Sequence, residues 1–260
     1  MIIPVDAFYD ALSLFCAVET EANGTVRVVS GIRLAMLNGV FSGAPVPDAA
    51  EIARLAADMP GDGPWSIQVR GEPSPEIVEI AAAHGLTTLV SVPMMLCAAD
   101  AFRTQDARPG AVAARGAQTG EAARSDSPAV AVRRIGSADA EAYAHVLTTG
   151  FGAPRELLGP MLDPRILDLP KAATYLVEED GRPVATGLGV LIRDVIAIFN
   201  ITTVPERRRH GHGRLITETI MREAFGIGAT RALLQSSADG LPLYSSMGFT
   251  TVESWTYLRS

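Results

Sequence analysis

The chain has 260 residues, 48% hydrophobic and 20% charged, with a formal charge of −7. That composition suits a soluble globular protein of one large or two small domains. The acidic balance argues against nonspecific nucleic-acid binding, and no apolar run reaches the ~18 residues of a membrane helix, so neither kind of partner is expected. Two cysteines, Cys16 and Cys97, sit in apolar settings. They allow no disulfide framework or metal pattern, and buried free thiols are expected. MIIPVDAFYD lacks the basic and apolar regions of a secretion signal, so a cytoplasmic location is expected. Lys171 is the only lysine among many Arg, Ala, Gly and Pro, a bias that suggests a bacterial source of high GC content.

Residues 1–102 alternate helical and strand-like pieces, an N-terminal α/β domain. Apolar spacing predicts a helix over Asp6–Ala17. Thr25–Val29 and Ile32–Phe41 read as strands. Asp48 is a natural N-cap for a helix to Asp58. Trp65–Val69 is a short strand. Ser74-Pro75-Glu76 opens a helix with a cap, a proline at its first position and an early acid. That helix ends at His84-Gly85. Leu86–Ala98 reads as one or two strands broken at Pro93. Residues 103–128 hold a single Val and no aromatic. They cannot bury enough apolar surface to offset ordering entropy, so a flexible linker is expected.

Residues 129–260 form the second predicted domain. Ala129–Arg134 alternates as a strand. Ser137 would cap a helix running to Gly150, and Pro154–Asp168 is a further helical region. Thr174–Glu178 and Pro183–Ile192 form a hairpin across Glu179–Arg182. Arg193-Asp194 turns into Val195–Thr203, a nearly continuous apolar run and so a central strand. Gly213–Phe225 carries a buried stripe of Leu215, Ile216, Ile220, Ala224 and Phe225. Ala232–Gln235 is a strand, Leu241–Met247 a short helix, and Phe249–Leu258 the closing strand.

The most chemically explicit stretch is Phe199–Arg214, FNITTVPERRRHGHGR. It reads as a strand, a turn and a helix start. Glycines at 211 and 213 let backbone N–H groups approach a ligand. At a helix N-terminus those groups and the dipole favour an anion. Arg207, Arg208, Arg209 and Arg214 add charge. A pyrophosphate is the natural guest, although R-x-x-G-x-G alone also describes a plain glycine turn.

The order hairpin, long strand, Gly loop, helix, strand, short helix, strand resembles the GCN5-related N-acetyltransferase (GNAT) superfamily. FNITTVPERRRHGHGR is similar to its acyl-CoA loop, and LPLYSSMGF (Leu241–Phe249) to its C-terminal Y-x-x-x-G-F signature. The resemblance covers residues 129–260. It implies a mixed, mostly antiparallel α/β (α+β) sheet flanked by helices. It also implies transfer of an acetyl group from acetyl-CoA, as co-substrate, to a primary amine, without a metal. The backbone of Ile201, Thr202 and Thr203 would bind the pantetheine arm. Arg208 and the amides of Arg209, His210, Gly211, His212, Gly213 and Arg214 would hold the pyrophosphate. Tyr244 would be the general acid, and a backbone N–H near Ile201 would stabilise the acetyl oxygen.

Two positions depart from the family. Ser237 stands where many relatives have a cofactor-binding Asn, and Ala232 where some have a glutamate base. Asp194, Glu206, Glu178 and Asn200 through a water are candidate replacements. A non-catalytic acyl-CoA sensor is therefore the alternative reading. Acceptor contacts are expected in Gly150–Leu169 and in the first domain. The acidic surface suits a cationic small amine, such as an aminoglycoside-like antibiotic, a polyamine or an amino acid derivative, with a protein N-terminus or lysine as the other acceptor. The first domain reads as a worn copy of the same fold without the loop motif. This implies two such domains in tandem, as a pseudo-dimeric monomer or a homodimer.

Overall fold

The computed structural model describes residues 5–14, 17–21, 23–60, 63–104 and 128–260. Cys16 and most of the expected linker lie outside these. In chain order the elements are α1 (Val5–Leu12), β1 (Ala17–Thr20), β2 (Thr25–Val29), β3 (Asn38–Ser42), α2 (Ala49–Ala57), β4 (Ser66–Arg70), α3 (Pro75–Ala83) and β5 (Thr88–Ala98). After the undescribed segment come β6 (Val130–Ile135), α4 (Ala140–Phe151), α5 (Arg155–Leu158), α6 (Pro164–Leu167), β7 (Ala172–Glu179), β8 (Arg182–Ile192) and β9 (Val195–Thr203). The chain closes with α7 (His212–Gly226), β10 (Arg231–Gln235), α8 (Leu241–Ser246) and β11 (Thr250–Arg259).

Local sequence explains most of these boundaries. Asp48 accepts from the amides of Ala50 and Glu51 at the head of α2, and Ser74 accepts from Ile77 at the head of α3. Asp180 and Gly181 both take positive φ, at 51° and 76°, which is the tight hairpin turn that matches strand twist. Four expectations need correction. Ile32–Phe41 is not one strand. The Asn38 side chain accepts from the Ser30 amide at 2.9 Å and donates to Leu34 C=O at 3.0 Å. Those bonds fold residues 30–37 into a loop with a 3-10 turn, so β3 starts only at Asn38. Ser137 does not cap α4. It opens a 3-10 turn, and its amide donates to Asp168. Pro154–Asp168 breaks into three short pieces, as its prolines require. Strand β5 runs unbroken through Pro93. This proline lies just past the last β10 pair, Met94↔Gln235, so its missing N–H interrupts no ladder bond there.

All eleven strands join one sheet in the order β1-β2-β3-β4-β11-β5-β10-β9-β8-β7-β6. Apart from the extra edge strand β6, the order is symmetric about the central β11–β5 pair. On one side β4 pairs β11 antiparallel and β3 pairs β4 parallel. On the other, β10 pairs β5 antiparallel and β9 pairs β10 parallel. Each half thus inserts its last strand between the last two strands of the other. Joined through their central strands, the halves share backbone hydrogen bonds as well as side-chain contacts.

Three apolar clusters hold the layers. α4, α7 and α8 pack on one face of the C-terminal strands through residues such as Tyr143, Val146, Ile216, Ile220 and Tyr244. α1 packs on the opposite face with Phe8 and Leu12 against Leu188, Val190, Ala197 and Trp255. α2 and α3 cover the N-terminal strands with Ile52, Leu55 and Ile77. Close approach of α7 depends on two glycines of β8. A Cβ on Gly187 would lie 3.2 Å from Ile220 Cδ1, and one on Gly189 would lie 2.7 Å from Ile220 Cγ2. Fully burying a side chain such as Ile216 or Ile220 contributes about 1.5–3 kcal/mol, which anchors the helix whose N-terminus forms the site.

Candidate functional site

The site begins where β9 and β10 part. Their parallel ladder holds only three pairs, Arg231↔Val195, Ala232↔Ile196 and Leu233↔Ala197. Beyond Ala197, β9 keeps its β8 neighbour but has no strand on its other edge among the described residues. In the same region the β8–β9 register shifts between Thr186 and Leu188. Asn200 sits at this bulge with φ 56°, a left-handed conformation that Asn tolerates better than most residues. Its amide donates to the Tyr143 hydroxyl at 3.1 Å. Burial pushes the Tyr143 hydroxyl up to about 12, opposed by the bond from Asn200. The result is a gap along which the strand edge Ile201–Thr203 has no partner strand among the described residues. An extended ligand can add to such an edge as a further strand.

At the mouth of that gap lies the N-terminus of α7. Gly211 occupies the N-cap position at φ 87°, with no side-chain cap. The first bond of the helix runs from Leu215 N–H to Gly211 C=O. Ahead of it, the amides of Arg209, His210, Gly211, His212, Gly213 and Arg214 have no acceptor among the described hydrogen bonds. Six successive free donors at the positive end of a helix dipole make a cradle for an anion. Arg208 braces the cradle from outside. It donates to Thr203 C=O at 3.2 Å and to Gly150 C=O at 2.7 Å. Arg208→Ala should therefore weaken binding of a pyrophosphate-bearing ligand at this cradle about tenfold through loss of loop order; calorimetric titration checks this.

The neighbouring side chains have separate tasks. Arg207 pairs with Glu179 at 2.7 Å. His212 is buried, with Nε2 3.8 Å from the same carboxylate. Burial lowers its pKa, with Glu179 opposing, so at neutral pH it lends the loop its backbone more than a charge. Gly213 faces α8 and β9, where a Cβ would make only ordinary contact with Leu243 Cδ2 at 3.6 Å. Arg214 bonds to Glu218 at 3.2 Å and also to the Ser246 hydroxyl. These contacts bring α8, and with it Tyr244, against the head of α7.

Tyr244 is 8% exposed and stacks edge-on to Phe249, with ring centroids 5.7 Å apart. Its hydroxyl makes no hydrogen bond among the described residues. Burial alone pushes it up to about 12, so it holds its proton at neutral pH. Ser237 is exposed and accepts from the Gly240 amide at 3.2 Å, which commits its hydroxyl to the turn before α8. Of the base candidates, Asp194 is engaged by Thr230 and Arg231 at the far end of β9, and Glu178 pairs with Arg133. Glu206 is exposed in the turn after β9. Only Asn200 stands at the bulge. The Asn200–Tyr143 pair and the Arg208 brace escaped the sequence reading. An Asn within an otherwise apolar strand was the available signal for the first.

The head of α2, which follows β3 in the N-terminal half, is capped by a side chain instead. There the Asp48 carboxylate accepts from the Ala50 and Glu51 amides at 2.9 and 3.1 Å. Those bonds hold it below the usual carboxylate range. An anionic ligand finds no free donors at those two positions. Elsewhere, Cys97 is buried and desolvation pushes its thiol up to about 11, which keeps it unreactive. Among the described residues no group of three His, Cys, Asp or Glu could hold a metal, and no helix is long and apolar enough to cross a membrane.

Solved structures share this architecture. The structure of a GCN5-related N-acetyltransferase from Kribbella flavida matches with a TM-score of 0.65 and 19% identity, over 98% of this chain and 93% of that one. A conserved protein of unknown function from Staphylococcus epidermidis matches at 0.62 and 11%, over 96% and 95%. A protein described as a GNAT-family acetyltransferase from Novosphingobium aromaticivorans matches at 0.57 and 16%, over 98% and 94%. At such identities the likeness is one of fold, and it extends over nearly the whole chain. Residues 143–249 match the family model described as Acetyltransferase (GNAT) family, so these residues form a GNAT acetyltransferase domain. No curated protein matches.

Proposed function

We propose that the chain is an acetyl-CoA-dependent N-acetyltransferase that acetylates a primary amine of a small molecule by direct attack. The observation that carries this reading is the uncapped head of α7, with six free amides, opening onto the unpaired edge of β9. The amides of residues 209–214 hold the pyrophosphate, and Ile201–Thr203 hold the pantetheine arm. A backbone N–H at the Asn200–Ile201 bulge stabilises the oxygen as the amine attacks the thioester carbon. The carbon–sulfur bond then breaks, and the Tyr244 hydroxyl gives its proton to the departing sulfur. The amine loses its own proton to water, since no carboxylate stands at the bulge, and solvent returns a proton to the Tyr244 phenolate.

The N-terminal half is a degenerate copy of the same unit. The series β1, β2, β3, α2, β4, α3, β5 repeats the order and pairing of β7, β8, β9, α7, β10, α8, β11. With its cradle filled by Asp48, this half serves as the wall that a second subunit would otherwise supply. The chain is then a pseudo-dimeric monomer.

Release of CoA thiol that depends on both acetyl-CoA and an amine, with the acetylated amine seen by mass spectrometry, tests the reading. Acetyl-CoA binding with no thiol release over a broad amine panel would instead support a non-catalytic sensor. The commitment of Ser237 to its own turn and the lack of a carboxylate at the bulge favour that alternative.

A further inference from the structure

The C-terminal end of α7 borders a cavity of about 240 Å³, between that helix and the start of β9. Its floor is apolar, made by Leu191, Ile196, Ile220 and Ala224. Ile220, Glu223, Ala224 and Ile227 recur at spacings of three and four residues, so one face of α7 supplies the whole helix side. Along β9, Ile196 on the floor comes five residues, roughly 17 Å, before Ile201 at the unpaired edge. The cavity is therefore separate from the cradle at the head of α7.

The rim carries charge of both signs. Arg134 of β6, Lys171 just before β7 and Glu223 of α7 all line the cavity and are exposed. The buried Tyr175 hydroxyl donates to Glu223 Oε2 at 2.5 Å. Burial, and then the carboxylate itself, raises the Tyr175 pKa, so the hydroxyl keeps its proton and stays the donor. That bond fixes the carboxylate and leaves Oε1 without a partner among the described hydrogen bonds. Arg134 spends Nη2 on Ala172 C=O at 3.0 Å, and its other donors have no partner among the described residues. The Lys171 ammonium has none there either. No ion pair joins Arg134 or Lys171 to Glu223 among the described residues, so both signs remain open to a ligand.

This pattern selects a zwitterion. A carboxylate answers Arg134 and Lys171 with charge-assisted hydrogen bonds, and an ammonium answers Glu223. An apolar body gains from covering the floor in proportion to its area. A bare acid would meet the Glu223 carboxylate, and a bare amine would meet two cations, each without compensation. The volume falls just under the usual range of small-molecule sites, which suits a body the size of one amino acid.

We infer that this cavity binds a free α-amino acid with an apolar side chain, its carboxylate on Arg134 and Lys171, its ammonium on Glu223 and its side chain on the floor. The site needs neither the cradle nor acetyl transfer. Calorimetry of the whole chain with L-phenylalanine and L-leucine tests it. Hydrocinnamate and isocaproate, which lack the ammonium, and phenethylamine and isoamylamine, which lack the carboxylate, are the comparison probes. The expected result is saturable binding of at least one amino acid, about tenfold or more tighter than both of its own analogues. Lys171→Ala and Glu223→Gln should each weaken that binding about tenfold with the melting temperature kept, since both side chains are exposed and Gln still accepts from Tyr175. Ala173→Trp, which fills the cavity, should abolish it, and the two rim variants decide the matter if this one fails to fold. Failure of acetyl-CoA to bind would count against the cradle and leave this inference standing. No binding of either amino acid at millimolar concentration, analogues that bind as tightly, mutual exclusion with acetyl-CoA, or unchanged affinity in any folded variant would overturn it.

Discussion

Gly211→Asp should abolish measurable acetyl-CoA binding or weaken it by at least about 100-fold, roughly 2.7 kcal/mol, in a chain that still folds. The added side chain itself meets open space, since a Cβ at position 211 has no neighbour within 4 Å. Two effects act on the cradle. The backbone there sits at φ 87°, which any residue with a side chain resists. The new carboxylate would also compete for the amides that await an anion, as Asp48 does at the head of α2. Gly211→Asn separates the two, because Asn tolerates positive φ nearly as well as Asp and carries no charge. If charge dominates, the Asn variant retains most of its affinity. Equal loss in both variants would point to backbone strain alone, and unchanged binding in Gly211→Asp would remove the cradle from the account.

Tyr244→Phe should lower kcat by about 100- to 1,000-fold, the range of a positioned general acid, and leave the KM for acetyl-CoA nearly unchanged. The ring keeps its place against Phe249, so the substitution removes a hydroxyl and little packing. The sign of the pH effect follows from the direction of the shift. Burial raises the Tyr244 pKa to about 12, so its proton is retained as pH rises, and kcat should not fall on its account below about pH 10. A variant as fast as the parent would leave the departing thiolate to be protonated by solvent.

The β9 strand, the glycine turn and the head of α7 were legible because their information is local. Glycine spacing, arginine density and the switch from a continuous apolar run to a helical stripe all lie within Phe199–Phe225. The turn at Asp180-Gly181, the cap at Asp48 and the ends of β9 are local in the same sense. What could not be read depends on contacts far apart in sequence. The insertion of β5 between β10 and β11 is a pairing of Leu96 with Leu233 and with Thr250, and no residue pattern announces it. Pro93 looked like a strand break because its neighbours were unknown.

Titration of the whole chain with acetyl-CoA in a calorimeter tests the central claim most directly. The account predicts saturable binding with one equivalent per chain, because α7 offers free amides and α2 is closed by Asp48, and it predicts loss of that binding in Gly211→Asp. No heat of binding at millimolar acetyl-CoA would contradict it, and two equivalents per chain would contradict the assignment of a filled site to the N-terminal half.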